Sequence, residues 1–207
     1  MKDNKTKQIT RWAVMLAVIF VAMMLDKAIS MALPVSMAAC VLLATFTFCF
    51  LDNSWGSGVL AGAFFGVASL CKEFIFPSLM FEANVNPLIS VLPRVLATTI
   101  AFAVYQLILL ITAKVKKAKV RQVISIDVAV FVGLVVNTLL YLTALGIYKD
   151  LAGLENNGLF AVIYGVLFTN IIPEYLISLL AVPTIVLAVR KGLKFGIDGN
   201  NWKKVEE

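Results

Sequence analysis

The stretch ITAKVKKAKVRQ, residues 111–122, lies between two apolar segments that are each long enough to cross a bilayer. Its basic residues form one of three clusters in the chain. The clusters are Lys2, Lys5, Lys7 and Arg11; Lys114, Lys116, Lys117, Lys119 and Arg121; and Arg190, Lys191, Lys194, Lys203 and Lys204. Because Lys and Arg near membrane ends are retained on the cytoplasmic side, the clusters predict that both termini and the central loop share that face. An even number of spans must therefore separate each consecutive pair of clusters.

The composition indicates that the solvent of this chain is lipid. Of its 207 residues, 61% are hydrophobic and 14% are charged, whereas a soluble domain carries about 25% charged residues. The net charge of +6 would also suit nucleic-acid binding, but basic residues at membrane ends, next to anionic lipid, explain it better. We therefore expect the lipid bilayer, and no nucleic acid, as a partner. The start of the chain is also similar to a signal peptide, an interpretation we reject because its apolar stretch is span-length and further spans follow.

Several kinds of catalytic and metal site are excluded by the residues present. The chain has no histidine, which removes Ser-His and Cys-His nucleophilic pairs and the histidine zinc motifs. Cys40, Cys49 and Cys71 stand inside apolar runs and are expected to be small buried hydrophobic residues. No GxxxxGK[ST] loop is present, so ATP hydrolysis by this chain itself is not expected. We expect neither an enzyme nor a metal site.

The apolar segments predict the fold. A helix needs about 20 residues to cross the hydrocarbon of a bilayer. Six spans are expected in a single domain over residues 1–207: roughly 11–31, 34–51, 56–77, 89–113, 123–147 and 158–190. Four spans between the first and second basic clusters, and two between the second and third, satisfy the charge rule. The predicted fold is an all-α membrane protein, a six-transmembrane-helix bundle with both termini cytoplasmic.

Polar residues inside these spans are the candidates for a site, because each ionisable group costs about 2.5–3.5 kcal/mol to insert. The topology places most of them in the outer half of the bundle, where they could form a polar cage for a small extracellular molecule. They are Asp26, Lys27, Lys72, Glu73, Arg94, Asn137, Asn170 and Glu174, with Tyr141 one turn from Asn137. The alternative is ion pairing, such as Arg94 with Glu174, or interhelical hydrogen bonding. For Asp26 and Lys27 this alternative is favoured.

Two ladders of small residues indicate close helix contacts. Gly58, Gly62 and Gly66 recur every four residues on the third span, a pattern that most often serves helix packing. Ala13 and Ala17 form a weaker AxxxA ladder on the first span.

Taken together, these residues resemble the substrate-binding S component of energy-coupling factor (ECF) vitamin transporters. The resemblance rests on the six spans, the AxxxA ladder and the polar cage. The segment NPLISVLPR, residues 86–94, resembles the loop and fourth-helix start in one branch of that family. Asn137-Thr138 with Tyr141 resembles its fifth helix, and Asn170 and Glu174 followed by Pro183 resemble its sixth. The resemblance spans nearly the whole chain, and segment 86–94 is more specific than the AxxxA pair.

The resemblance implies a transport role in a bacterial cell membrane. Such a subunit captures a vitamin from outside, associates with a membrane coupling (T) subunit and two ATP-binding subunits, and topples to release its cargo. ATP would be used by those partners. Ala13 and Ala17 would contact the coupling subunit. The vitamin would be bound by Lys72, Glu73, Arg94, Asn137, Tyr141, Asn170 and Glu174.

The identity of the vitamin stays open at this point. Arg94 and Lys72 suit a carboxylate, which favours pantothenate, whose hydroxyls and amide suit Asn137 and Asn170. Riboflavin, or a pyridoxine-like or pyrimidine ring, would instead use aromatic side chains for stacking: Phe74, Phe76, Tyr141 or Tyr175. Cobalamin is less favoured.

Two other classes of protein remain as alternatives. One is an intramembrane lipid-modifying enzyme with Glu73 or Glu174 as general base and Arg94 on a phosphate. The absence of histidine and of a paired acidic motif counts against it. The other is a structural membrane protein whose polar residues only hold helices together.

Overall fold

The computed structural model describes residues 2–32, 38–51, 54–77, 81–115, 117–151 and 172–192. Every regular element in this part of the chain is helical. The α-helices are α1 (Lys2–Ala32), α2 (Ala38–Leu51), α3 (Trp55–Ile75), α4 (Phe81–Asn84), α5 (Pro87–Ser90), α6 (Leu92–Ile111), α7 (Ala118–Leu151) and α8 (Ile172–Gly192), and a 3₁₀ turn, Thr112–Lys114, follows α6. An all-helical chain is what lipid requires, because a helix satisfies its own backbone hydrogen bonds.

Four described helical stretches are long and apolar enough to cross a bilayer: Ile9–Ile29, Trp55–Ile75, Pro87–Lys114 and Ala118–Tyr148. They coincide with the predicted spans 11–31, 56–77, 89–113 and 123–147. The chain is therefore a multi-pass membrane protein, and its described elements are all helical. The predicted spans 34–51 and 158–190 are described only in part, as α2, which contains the shorter apolar helix Cys40–Leu51, and as α8. Residues 34–37 and 158–171 lie outside the described residues.

The long helices pack into one bundle. Helix α1 packs on α3, α3 on α6, α6 on α7, and α7 on α8. Helix α2 contacts α1, α3, α6 and α8 and so joins the two ends of this series. At the centre, the rings of Phe46 and Phe50 on α2 meet those of Phe102 and Tyr105 on α6, with 5.2 Å between the ring centroids of Phe50 and Tyr105. Buried aliphatic residues from the other helices surround this cluster: Ile19, Ala61, Ile126, Val182 and Val186.

Helices α3 and α6 approach closely through the glycine ladder. A Cβ atom added to Gly62 would lie 2.6 Å from the carbonyl oxygen of Arg94, and one added to Gly66 would lie 2.7 Å from the Cα of Val91. Contacts this short leave no room for a larger side chain unless the two helices move apart. The predicted packing role of the ladder is therefore confirmed.

Arg190 belongs to the third basic cluster, yet its side chain is only 1% exposed. Its guanidinium donates hydrogen bonds to the carbonyls of Phe50 (2.5 Å) and Leu51 (3.2 Å) and to the hydroxyl of Tyr105 (3.2 Å). The last carbonyls of a helix have no partner within it, so the guanidinium caps the end of α2. We call this end of the bundle the Arg190 end.

The expectation that all three cysteines are buried was wrong. Cys49 is fully buried, but Cys40 is exposed and Cys71 is partly exposed, and all three are free thiols. In a lipid-embedded helix an apolar run does not require burial in protein, because the lipid is as apolar as the core.

Candidate functional site

Five polar residues meet at the end of the bundle opposite the Arg190 end. They are Glu73 from α3, Asn84 from α4, Ser90 from α5, Arg94 from α6 and Tyr141 from α7, and we call them the Arg94 cluster. Each is linked to another member by a hydrogen bond or an electrostatic interaction. Residues from five helices, α3 to α7, therefore meet around one guanidinium.

The local sequence explains how Arg94 reaches this position. Asn86 caps α5, with its Oδ1 accepting a hydrogen bond of 3.0 Å from the N–H of Leu88. Pro87 opens α5 and Pro93 stands in the first turn of α6, where proline is tolerated because the N–H has no helical partner. The chain therefore turns at Val91 between two helices, and Arg94 projects from the first turn of the second.

The guanidinium of Arg94 lies between two aromatic rings. Its Cζ is 4.9 Å from the ring centroid of Phe65 and 5.4 Å from that of Tyr141, distances at which a cation is attracted to the ring face. Its Nη1 donates a hydrogen bond to the carbonyl of Ser90. Its Nε is buried and has no hydrogen-bond partner among the described residues. The site thus offers an unpartnered donor on a cation that an incoming acceptor could satisfy.

Glu73 supplies the opposite charge. It is 3% exposed and continues the buried face of α3 that carries Gly62 and Gly66. Its carboxylate interacts electrostatically with Arg94, and its Oε1 lies 3.4 Å from the Nζ of Lys72. Because a buried charge needs a partner, the two cations together stabilise one carboxylate, which leaves the local charge positive.

Helix α7 supplies the neutral polar groups. The hydroxyl of Tyr141 donates a hydrogen bond of 2.7 Å to Oδ1 of Asn84, and the carbonyl of Asn84 accepts one from the hydroxyl of Ser90. One turn along α7, Oδ1 of Asn137 is buried without a hydrogen-bond partner in the described part of the chain. An unsatisfied acceptor and the unsatisfied Nε of Arg94 are thus both available at this end of the bundle.

The structure brings together four of the residues predicted from the sequence: Lys72, Glu73, Arg94 and Tyr141. Asn137 lies one turn from Tyr141 on the same helix. Asn170 lies outside the described residues, and so does the side chain of Glu174, although its backbone belongs to α8. The ion pair between Arg94 and Glu174, raised as an alternative, therefore stays a prediction.

Sequence reasoning missed Asn84, Ser90, Phe65 and Asp127. Asn84 and Ser90 were treated as part of a connecting segment or a motif, so they were not considered as intramembrane polar groups. Phe65 is one apolar residue among many. Asp127 carried a signal that could have been used, since it is an ionisable residue inside a predicted span, and its buried Oδ1 has no hydrogen-bond partner among the described residues.

Ala13 and Ala17 lie on the outside of the bundle. Both are exposed, as are Val14 and Val18 beside them, whereas Met15 on the same helix is buried. No described helix covers this face of α1. It is therefore available to lipid or to another membrane protein.

No family of known proteins matches this chain, and no curated protein is similar to it. The residues themselves therefore carry the functional assignment.

Proposed function

We propose that this chain is the substrate-capturing membrane subunit of an ATP-driven vitamin importer of the ECF type, and that its vitamin is pantothenate. The observation that carries the proposal is the guanidinium of Arg94, with a buried and unpartnered Nε, between Phe65 and Tyr141 at one end of an apolar helical bundle. In the proposed arrangement six spans place both termini in the cytoplasm of a bacterial cell and the Arg94 cluster on the extracellular side.

A carboxylate is the ligand group that best fits the Arg94 cluster. Guanidinium binds carboxylate through paired, charge-assisted hydrogen bonds, and Arg94 and Lys72 exceed the single charge of Glu73 by one. The unpartnered Oδ1 of Asn137 would accept a hydrogen bond from a hydroxyl or an amide N–H. Pantothenate carries a carboxylate, an amide and two hydroxyls, so it offers an acceptor and donors in one small molecule.

A planar vitamin such as riboflavin or a pyridoxine-like ring is supported less well. Three of the four aromatic rings expected to stack on it already have other partners. Tyr141 faces Arg94, Phe74 packs edge-on against Phe81 with 6.1 Å between ring centroids, and Tyr175 packs against Phe131 at 5.0 Å.

Binding to the purified chain tests this proposal. We expect pantothenate to bind, and pantothenol, in which a hydroxymethyl group replaces the carboxylate, to bind at least tenfold more weakly. In Arg94→Gln the affinity for pantothenate should fall by about tenfold or more, since a hydrogen bond to a charged group contributes about 1.5–3 kcal/mol, and the two ligands should then bind about equally. If the wild-type chain binds pantothenate and pantothenol with equal affinity, the carboxylate is not recognised and this part of the proposal is wrong.

The exposed face of α1 supports the proposed partners. The chain carries no ATP-binding loop, so ATP-driven import needs separate ATP-binding subunits and a coupling (T) subunit in the membrane. Ala13 and Ala17 present small side chains that let a partner helix approach closely.

Bulky substitutions on this face separate coupling from binding. Ala13→Trp and Ala17→Trp should abolish uptake in cells that contain the partner subunits, because the indole holds the partner helix away, whereas pantothenate binding to the purified chain should persist. Leu107→Trp is the matched control, since Leu107 is 54% exposed on α6, and it should leave uptake intact. Loss of binding in the alanine variants would mean that these residues only maintain the fold.

A further inference from the structure

We propose that Asn84 is a positioning residue of the Arg94 cluster, and that it fixes the guanidinium of Arg94 from two sides. The inference rests on the proposed function, because it takes Arg94 as the group that binds the ligand. Asn84 lies in the short helix α4 and is 9% exposed.

A continuous chain of hydrogen bonds links Asn84 to Arg94. The hydroxyl of Ser90 donates to the carbonyl of Asn84, and the carbonyl of Ser90 accepts from Nη1 of Arg94. These two hydrogen bonds join the two ends of segment 84–90 and attach the segment to the first turn of α6. The position of the Ser90 carbonyl, and with it one contact of the guanidinium, depends on the backbone carbonyl of Asn84, which substitutions of the Asn84 side chain retain.

The second side is the ring of Tyr141. Its hydroxyl donates a hydrogen bond of 2.7 Å to Oδ1 of Asn84, and its ring lies 5.4 Å from Cζ of Arg94. A tyrosine ring free to rotate about its side-chain bonds would not hold the cation at one place. Asn84 therefore connects α7 to the 84–90 segment and sets the ring against the guanidinium.

The chemistry of this position favours a neutral acceptor. An asparagine side chain accepts the hydrogen bond from the tyrosine hydroxyl without adding a charge to the Arg94 cluster. An aspartate would retain the acceptor oxygen, whereas leucine, of similar size, would remove it. The two substitutions therefore separate the hydrogen bond from the volume of the side chain.

The test follows the reactivity of Arg94 itself and needs no ligand. Purified wild-type and variant chains are treated with phenylglyoxal, which modifies accessible guanidinium groups, and the peptide containing Arg94 is quantified by mass spectrometry. Asn84→Leu and Tyr141→Phe should each raise the modification rate of Arg94 at least fivefold. The double variant should react no faster than the faster single variant, because both substitutions break the same hydrogen bond.

Two further variants distinguish positioning from general loosening. Asn84→Asp should restore a rate close to that of wild type, because it keeps the acceptor. Leu88→Ala, in the same segment but with a side chain that is 66% exposed, should react as wild type does. If Asn84→Leu does not yield folded protein, Tyr141→Phe removes the same hydrogen bond from its other partner, and Ser90→Ala, which removes the bond to the backbone carbonyl of Asn84, should also raise the rate.

The outcomes separate this inference from the proposed function. An unchanged rate in a folded Asn84→Leu chain, or additive rates in the double variant, would overturn the positioning role even if pantothenate binds. The expected pattern in a chain that binds no pantothenate would support the positioning role and reject the ligand. If the positioning role and the proposed ligand are both correct, Asn84→Leu also lowers the affinity for pantothenate at least tenfold, and Asn84→Asp restores most of that affinity.

Discussion

At the scale of single residues, two arginines differ in how far their guanidinium groups are satisfied by the protein. Arg190 donates to two backbone carbonyls and a hydroxyl, so it serves the fold. Arg94 has one donor on a carbonyl, two rings against its faces and an Nε with no described partner. A buried polar group without a partner costs free energy, and the proposed ligand would satisfy the Nε of Arg94. The two side chains therefore have different consequences when they are removed.

Removal of Arg190 should destabilise the bundle without changing its ligand preference. Arg190→Leu leaves the end carbonyls of α2 unsatisfied, at a cost of about 1–3 kcal/mol for each buried group, so the Tm in detergent should fall by several degrees. The adjacent Lys191, which is exposed, provides the control Lys191→Gln, which should leave the Tm unchanged. An equal Tm for Arg190→Leu and wild type would show that water replaces the guanidinium.

At the scale of elements, the contact between α3 and α6 aligns the charges of the site. Glu73 follows Gly62 and Gly66 on the buried face of α3, and Arg94 contributes the backbone carbonyl that lies against Gly62. The close approach of the two helices therefore fixes the separation between the carboxylate and the guanidinium. A larger residue in the ladder would change packing and site together.

The expected effect of Gly62→Ala is a loss of stability of about 1–3 kcal/mol, typical of an overpacked core. The added Cβ would lie 2.6 Å from the Arg94 carbonyl, so α3 and α6 must separate. Gly56→Ala is the matched control, because its Cβ would meet only the Ser54 Oγ at 3.7 Å. Thermal unfolding in detergent measures both. A Gly62→Ala chain as stable as Gly56→Ala would show that the two helices adjust without strain.

At the scale of the whole molecule, the bundle has two chemically different ends. The Arg190 end carries the basic loop between α6 and α7, with Lys114 and Lys117 exposed. The opposite end carries the Arg94 cluster and the short helices α4 and α5. Basic residues are retained on the cytoplasmic side, so the site should face the outside of the cell.

Cysteine labelling checks this orientation. On a background with Cys40, Cys49 and Cys71 replaced by alanine, Glu82→Cys should react with a membrane-impermeant maleimide added to intact cells, and Lys117→Cys should react only after permeabilisation. Both positions are exposed, so accessibility within the fold is matched. The reverse pattern would invert the topology and place the Arg94 cluster on the cytoplasmic side.

Much of the site could be predicted because insertion into lipid is costly for charged residues. Lys72, Glu73 and Arg94 stood out for that reason, and helix order placed them near one end of the bundle. Asn84 could not be selected in the same way, because it lies in a connecting segment where polar residues are common. Its role depends on the path of that segment over α6 and α7, which no local pattern specifies.

The sequence by itself determined that the chain is helical and embedded in lipid, because 61% hydrophobic residues in long uninterrupted segments satisfy their backbone only as helices. Tertiary structure alone decided which face of each helix points inward. In lipid both faces of a helix can be apolar, so hydrophobicity does not distinguish core from surface. The burial of Arg190, the exposure of Cys40 and the meeting of Tyr141 with Asn84 all depend on helix rotation. Close backbone packing and specific hydrogen bonds set that rotation.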